Sequence, residues 1–129
     1  MAKTNPYLFV YGTLLNKQNE FGAYLNAMCC FYADGKFKGL LYDIGEYPGA
    51  ISDAINYVYG KILVVNNPDE VLERLDDYEG FGPDQQQPNL FTRKLITAET
   101  DKEPVECWVY LYNLPIDGLR LIKSGKYLS

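Results

Sequence analysis

Two short segments carry the residues of this chain that are best suited to chemistry. Residues 9–15 read F-V-Y-G-T-L-L, an apolar run that is broken by one glycine and one hydroxyl residue. This pattern is typical of a buried strand whose exit loop turns backbone N–H groups toward a ligand, because glycine lets the backbone approach closely. Residues 75–81 read L-D-D-Y-E-G-F and include the carboxylate of Glu79. Together they predict an anion-binding loop that faces a lone, partly buried carboxylate.

The composition excludes whole classes of catalytic site. The chain has no histidine, which rules out Ser-His and Cys-His catalysis and every metal site that uses histidine. The three cysteines are Cys29, Cys30 and Cys107. An odd number argues against a secreted disulfide framework and predicts buried thiols in a reducing compartment. Any catalysis must therefore come from carboxylate, lysine, tyrosine, hydroxyl or backbone groups.

Length and charge indicate the class of protein. With 129 residues, 47% of them hydrophobic and 22% charged, the chain is expected to form one globular domain over residues 1–129. The net charge is −5 and the basic residues are scattered, which disfavours a nucleic-acid partner. No apolar run approaches the ~20 residues that span a bilayer, and the opening M-A-K-T-N-P lacks the apolar core of a signal peptide. We therefore expect a cytoplasmic protein with no membrane partner.

The helix that must position Glu79 has the strongest sequence signals. It is predicted between Asn67 and Glu79, because Asn67 can cap it and Gly80 can end it. At about 100° per residue, Leu72, Leu75 and Glu79 share one face of this helix, so Glu79 stands where the apolar stripe predicts another leucine. It is either a C-terminal residue turned to solvent or a functional group held at the edge of the core. A buried, uncompensated carboxylate costs several kcal/mol and is rarely tolerated without a use.

The remaining elements predict a small sheet. Segments rich in Val, Ile, Tyr and Phe indicate strands at residues 7–11, 28–33, 37–43, 57–65, 91–99 and 105–112. A short helix is expected over residues 19–27, and loops are expected over residues 45–50 and 80–89, where glycine and proline cluster. Many short strands with one or two helices indicate an α+β protein with a mixed sheet that curls toward a barrel.

Several motifs follow one another in an order and spacing that resemble one family. They are Y-G-T-L at residues 11–14, L-Y-D-I-G-E-Y-P-G-A-I at 41–51, V-Y-G at 58–60, L-D-D-Y-E-G-F at 75–81, F-T-R at 91–93 and W-V-Y-L-Y-N at 108–113. Over nearly its whole length, the chain thereby resembles the gamma-glutamylcyclotransferase-like family, which includes gamma-glutamylamine cyclotransferases and AIG2-like proteins. One difference is Phe91, where the family commonly has tyrosine, and it bears on substrate preference.

The resemblance implies a fold, an activity and a set of site residues. The fold is a small mixed β-barrel with a few packed helices. The activity is intramolecular aminolysis of a small gamma-glutamyl amine or gamma-glutamyl peptide, which gives 5-oxoproline and a free amine without a cofactor or a metal. Backbone amides of the loop would bind the glutamyl head of the substrate, and Glu79 would be the general acid/base. The loop residues are Tyr11, Gly12, Thr13 and Leu14.

This chemistry sets a requirement for Glu79. A free α-amine has a pKa of about 8 and a model glutamate one of about 4.3, a gap of roughly 5 kcal/mol against proton transfer. The pKa of the base must therefore be raised, and burial with Asp76 nearby as a like charge would act in that direction.

Arg93 and Tyr110 are further candidates for the pocket. For Arg93 the alternative is a structural ion pair, and for Tyr110 it is ordinary packing in a strand. Asp76 and Asp77 are expected to be solvated. The alternative for the whole protein is a non-catalytic AIG2-like domain that binds a small ligand or a protein. Neither the leaving amine nor the oligomeric state follows from the sequence.

Overall fold

The computed structural model describes residues 4–11, 20–45 and 48–127. Each helix and strand predicted within these ranges has a counterpart, and one short strand, β6, was not predicted. No helix in these ranges is long and apolar enough to cross a bilayer. In chain order the elements are β1 (Tyr7–Val10), α1 (Glu20–Met28), β2 (Cys29–Asp43), β3 (Pro48–Val65), α2 (Pro68–Glu79), β4 (Phe91–Ala98), β5 (Val105–Tyr112) and β6 (Arg120–Leu121).

The strands of the described ranges form one six-stranded sheet in the order β4-β5-β1-β3-β2-β6. β1 runs parallel to β5, and the other neighbours are antiparallel. The sheet curls until β2 meets the residue that follows β4. There, Lys36 and Glu99 exchange two backbone hydrogen bonds of 3.0 and 2.7 Å. The predicted α+β class with a curled mixed sheet is therefore confirmed.

β2 and β3 form one long hairpin, which the sequence pattern divides into shorter pieces. The predicted strands 28–33 and 37–43 are a single strand, and residues 48–50, expected in a loop, pair with residues 41–43. Both errors arise because glycines allow bends and close contacts within these strands without ending them. The register shifts between Lys38 and Gly39. At Gly39, a Cβ atom would lie only 2.6 Å from the carbonyl oxygen of Ile51.

Two clusters of buried side chains form the core. One is built around strand residues and fills the inside of the curl, with Phe9 and Phe37 as its largest members. The other joins the outer face of the sheet to the helices, and among its members are Leu8, Leu25, Val71, Leu72, Leu75 and Tyr110. Leu8 and Phe9 enter different clusters because side chains alternate between the two faces of a strand. The helices therefore pack on the outer face, and the side chain of Tyr110 points toward them.

The last turn of α2 is closed by a Schellman motif. Gly80 has a φ of 78°, in the left-handed region that favours glycine. The backbone N–H of Phe81 donates to the carbonyl of Asp76 at 2.8 Å. Of the two hydrogen bonds that define the motif, this is the one that closes the larger ring. At the other end, Asn67 occupies the predicted cap position, but its side chain makes no capping hydrogen bond. α2 therefore ends in a defined turn whose last residue is Glu79.

Candidate active site

Glu79 lies at the C-terminal end of α2 and is half-buried. The Schellman motif satisfies the carbonyl groups of Asp76 and Asp77 in that turn, so Glu79 does not stand at a frayed helix end. Of the two positions left open by the sequence, bulk solvent and the edge of the core, the structure places this residue at the edge of the core.

Two tyrosine hydroxyls lie within electrostatic reach of Glu79. Burial raises the pKa of Tyr11, a hydrogen bond from the backbone of Ala50 opposes this, and the charge of Glu79 adds to the rise. Burial also raises the pKa of Tyr110, with further contributions from Asp76 and then Glu79. Both phenols are therefore neutral at physiological pH. The structure thus brings Glu79 close to Tyr11, the first residue of the predicted substrate loop.

The side chain of Tyr11 ties three strands together. Its hydroxyl donates a hydrogen bond to the backbone carbonyl of Tyr110 on β5 and accepts one of 3.2 Å from the backbone N–H of Ala50 on β3. Because Tyr11 directly follows β1, these bonds fix the point at which the chain leaves the sheet. The rest of the predicted loop lies outside the described residues and stays a prediction: Gly12, Thr13 and Leu14.

Asp76, one turn before Glu79 on α2, accepts three hydrogen bonds. Arg93 donates from Nε at 2.6 Å and from Nη2 at 3.0 Å, and Tyr110 donates its hydroxyl at 2.7 Å. The side chains of Arg93 and Asp76 are only 17% and 19% exposed. The expectation that Asp76 is solvated is therefore wrong, and the ion pair considered for Arg93 is present. Asp77 is exposed, as expected.

Arg93 and Tyr110 reach Asp76 from the sheet. They are direct partners in the register of β4 and β5, so their side chains lie on one face. The guanidinium of Arg93 also lies 4.2 Å from the centre of the Trp108 ring. Burial disfavours the charge of Arg93, but the hydrogen bonds and charge of Asp76 outweigh this effect and raise its pKa. Both pocket candidates therefore direct their polar groups at an aspartate of α2.

Asp76 is the member of this cluster that sequence reasoning missed. A signal was available, because a residue three positions before Glu79 lies on the same side of a helix. The sequence does not contain the register of β4 and β5, which sets Arg93 opposite Tyr110. Without that register, an aspartate on a helix is more often solvated than paired.

The cysteines divide by exposure. Cys107 is buried, Cys29 is half-buried and Cys30 is exposed. The prediction of buried thiols is therefore confirmed for Cys107 and wrong for Cys30. Burial raises the pKa of Cys107 to about 12 and that of Cys29 to about 11. Both thiols are protonated at neutral pH and are therefore poor nucleophiles.

Two clefts that are lined wholly by described residues do not include Glu79 in their lining. One, of about 560 Å³, runs between α2 and the loop that follows it. The other, of about 920 Å³, lies between the first half of β2 and residues 99–103. Because neither is lined by Glu79, Tyr11 or Tyr110, neither is a candidate for the substrate pocket. Across the described ranges, no group of three or more Cys, Asp or Glu side chains is placed to hold a metal ion.

Comparison with known proteins identifies similar chains. Residues 8–129 match the family model described as gamma-glutamyl cyclotransferase, AIG2-like. Over 123 residues the chain is 32% identical to the gamma-glutamylcyclotransferase family protein YtfP of Escherichia coli strain K12, a match that covers 95% of this chain and 96% of the relative.

Two further matches extend this result. Over 110 residues the chain is 33% identical to the gamma-L-glutamyl-butirosin B gamma-glutamyl cyclotransferase of Niallia circulans, covering 84% of this chain and 67% of that protein. The fold is similar to the solution NMR structure of protein YtfP from Escherichia coli, with a TM-score of 0.70, 30% identity and coverage of 95% and 96%.

Proposed function

The chain belongs to the gamma-glutamyl cyclotransferase, AIG2-like family, and on that premise we propose that it converts a small gamma-glutamyl amine or gamma-glutamyl peptide into 5-oxoproline and a free amine. Glu79 is the proposed general acid/base, and residues 11–14 are the proposed binding loop for the glutamyl head. One observation carries the proposal. The half-buried carboxylate of Glu79 lies within electrostatic reach of Tyr11, the residue from which that loop departs.

In the proposed reaction, the substrate supplies its own nucleophile. The nitrogen of its α-amino group attacks the carbonyl carbon of its γ-amide, a five-membered ring closes, and the bond from that carbon to the leaving nitrogen breaks. The α-ammonium of the substrate must lose one proton before its nitrogen can attack and a second as the ring closes, and one proton must reach the leaving nitrogen. Glu79 would accept a proton from the attacking nitrogen and donate it to the leaving nitrogen, while the other proton passes to solvent, so that the enzyme ends the cycle unchanged.

The surroundings of Glu79 support this role. Partial burial favours the protonated form of a carboxyl group and so strengthens the carboxylate as a base. The two nearby phenols of Tyr11 and Tyr110 are neutral, because burial raises their pKa values. The sequence predicts that Asp76 strengthens the base as a like charge, but its ion pair with Arg93 offsets that charge. The partial burial of Glu79 is therefore the feature on which we base the proposed role.

Backbone amides of residues 12–14 are proposed to bind the α-carboxylate of the substrate or the oxyanion that develops on the γ-carbonyl. Support comes from the root of this loop, where the hydroxyl of Tyr11 is bonded to Tyr110 and Ala50. Donors that stabilise an oxyanion must be oriented before the reaction begins. The first residue of this loop is held in place by three strands. The start of the loop is therefore oriented before the substrate binds.

The substrates to be tested differ in the amine that the reaction releases. One relative is named for gamma-L-glutamyl-butirosin B, and the family as a whole is named for gamma-glutamyl cyclotransfer. A panel should therefore contain gamma-glutamyl amides of simple and polyfunctional amines, together with gamma-glutamyl amino acids.

The test of the proposal is the formation of 5-oxoproline from this panel. We expect turnover of at least one substrate by the wild type, and a loss of about 10²- to 10⁴-fold in kcat for Glu79→Gln, the range typical of a lost general acid/base. Glu73→Gln is the matched control, because Glu73 is an exposed glutamate of the same helix. Its kcat is expected to equal that of the wild type.

Two outcomes contradict the proposal in different ways. Undiminished kcat in Glu79→Gln would remove this residue from the mechanism while leaving the activity in place. Binding of gamma-glutamyl compounds with no 5-oxoproline from any of them would instead favour the non-catalytic binding domain.

A further inference from the structure

We propose that Asp76 and Arg93 are positioning residues, which as a neutral pair hold the last turn of α2 on the sheet and, through Tyr110, fix Glu79 relative to Tyr11. The inference rests on the proposed function, because it concerns how the general acid/base of that reaction is placed. Neither member of the pair is proposed to touch the substrate, and both act through Glu79.

The helix side of this arrangement is tightly defined. Asp76 precedes Glu79 by three residues, so the two side chains lie on neighbouring positions of one helix surface. Both oxygens of Asp76 are used, since Oδ1 accepts from Arg93 Nε and from the Tyr110 hydroxyl, and Oδ2 accepts from Arg93 Nη2. A two-pronged contact of this kind restricts rotation as well as distance. The turn that carries Glu79 is thereby docked in one orientation.

The sheet side is equally constrained. Arg93 lies directly opposite Tyr110 across β4 and β5, and its guanidinium packs over the ring of Trp108 at 4.2 Å. The indole ring packs against one face of the guanidinium, and Asp76 accepts hydrogen bonds at its edge. Arg93 therefore has little freedom to move with α2. The strands thus set the position of the last turn of α2.

Tyr110 connects this pair to the root of the predicted substrate loop. Its hydroxyl donates to Asp76 on α2, and its backbone carbonyl accepts the hydroxyl of Tyr11. A single residue of β5 thus contacts the helix that carries Glu79 and the residue from which residues 12–14 depart. Through this connection, β5 sets the distance between the general acid/base and the start of the predicted loop.

The described groups that we place near Glu79 carry charges that offset one another. They are Tyr11 after β1, Tyr110 on β5, and the ion pair of Arg93 on β4 with Asp76 on α2. The two phenols are neutral, and the charges of Asp76 and Arg93 offset each other. The two residues between Asp76 and Glu79 are exposed. Removing one member of the pair therefore leaves an unbalanced charge one helical turn from the acid/base.

The two single variants unbalance this charge in opposite directions. In Asp76→Asn, the unpaired Arg93 stabilises the Glu79 carboxylate, and the acidic limb of the kcat–pH profile is expected to move down by about one pH unit. In Arg93→Gln, the unpaired Asp76 disfavours that carboxylate, and the limb is expected to move up by about one pH unit. The double variant is again neutral, and its limb is expected to return close to the wild-type position.

Arg93→Lys separates charge from geometry. Lysine keeps the positive charge but loses the planar fork and its stacking on Trp108. We therefore expect the acidic limb to stay in place while kcat falls about tenfold, since a loosened catalytic group is less often in the reactive geometry. KM should change less than kcat, because the pair does not touch the substrate. The exposed pair Glu70 and Arg74 supplies matched controls, and Glu70→Gln and Arg74→Gln are expected to move neither quantity.

Opposite shifts that cancel in the double variant support the inference. Shifts of Asp76→Asn and Arg93→Gln in the same direction, or losses of kcat in these two variants with no shift of the acidic limb, would show that the pair is only a structural brace and would overturn the inference. If Asp76→Asn fails to fold, the contrast between Arg93→Gln and Arg93→Lys decides the same question. Carbon-13 NMR titration of the Glu79 carboxyl measures these shifts without substrate. Absence of turnover in the wild type therefore contradicts the proposed function, while the titration still decides the coupling.

Discussion

α2 carries two ion pairs that are similar in chemistry and opposite in setting. Glu70 and Arg74 lie on the outer face, 3.9 Å apart, and each side chain is 59% exposed. Asp76 and Arg93 lie on the inner side, 2.6 Å apart, with side chains that are 19% and 17% exposed. The outer pair joins two residues of one helix, whereas the inner pair joins the helix to the sheet.

The difference shows that residue type alone does not set the value of a charge pair. An exposed pair is weakened by water and salt and is worth about 0–1 kcal/mol. A pair that is largely withdrawn from water depends on complete hydrogen bonding, because an unpaired partner would be left poorly solvated. The inner pair meets this demand with Tyr110 as a third donor. We therefore expect every perturbation to act more strongly on the inner pair than on the outer one.

Asp76→Ala should produce the largest difference in stability between the two pairs. The change leaves the guanidinium of Arg93 and the hydroxyl of Tyr110 without their acceptor in a little-exposed region, and we expect a loss of about 2–3 kcal/mol in the free energy of unfolding. Glu70→Ala, the matched change in the outer pair, should cost less than about 0.5 kcal/mol. Urea denaturation at neutral pH measures both. Equal losses would mean that the inner pair is no more protected from water than the outer one.

These two pairs also show what the sequence can and cannot reveal. The helix and its end follow from local signals, since Gly80 must adopt a φ of 78° to close the turn. Glu79 stood out because it interrupts an apolar stripe that is defined by helical periodicity alone. The partnership of Asp76 and Arg93 joins residues 17 positions apart. It depends on how a helix docks on a sheet, which no local pattern specifies.

The same limit explains the errors in the sheet. The long hairpin of β2 and β3 contains glycines that resemble turn signals, although at Gly39 the missing side chain is needed for a close approach to the backbone of Ile51. Whether a glycine ends a strand or bends it depends on what packs against it. The fold class survives such errors, because it depends on the number and type of elements and not on where each one ends.

A second prediction concerns the free energy of unfolding at alkaline pH. In this range the titration of Tyr110, which is hydrogen-bonded to Asp76, affects the inner pair. The pKa of Tyr110 is raised in the folded protein, so the unfolded chain loses this proton first, at a pH near 10. The corresponding stability is therefore present below about pH 10 and is lost as the pH rises above it. By pH 11 the loss from this one group should reach about 1.4 kcal/mol.

Tyr110→Phe should remove that part of the alkaline loss. The measurement is the free energy of unfolding in urea at several values between about pH 8 and pH 11, and only the slope is compared, because the variant also loses its hydrogen bond to Asp76. Tyr32→Phe is the control, since Tyr32 is 49% exposed, and it is expected to keep the wild-type slope. Parallel curves for wild type and Tyr110→Phe would contradict the assignment of a buried, protonated phenol beside Asp76.

The smallest expected effect is the coupling within the outer pair, and salt offers the sharpest contrast for it. Glutamate four residues before arginine on a helix is worth about 0.3–0.5 kcal/mol, and the Debye length falls to about 3 Å in 1 M salt. A double-mutant cycle with Glu70→Gln and Arg74→Gln should therefore show a small coupling that vanishes in concentrated salt.

The matching cycle with Asp76→Asn and Arg93→Gln should keep most of its coupling, because counterions have little access to side chains that are less than one-fifth exposed. Both cycles change a carboxylate of α2 to its amide and an arginine to glutamine, so they compare two pairs that differ in exposure and in hydrogen bonding. If concentrated salt abolished both couplings, the inner pair would be as open to solvent as the outer one. It could then neither hold the last turn of α2 in place nor keep the charge around Glu79 in balance.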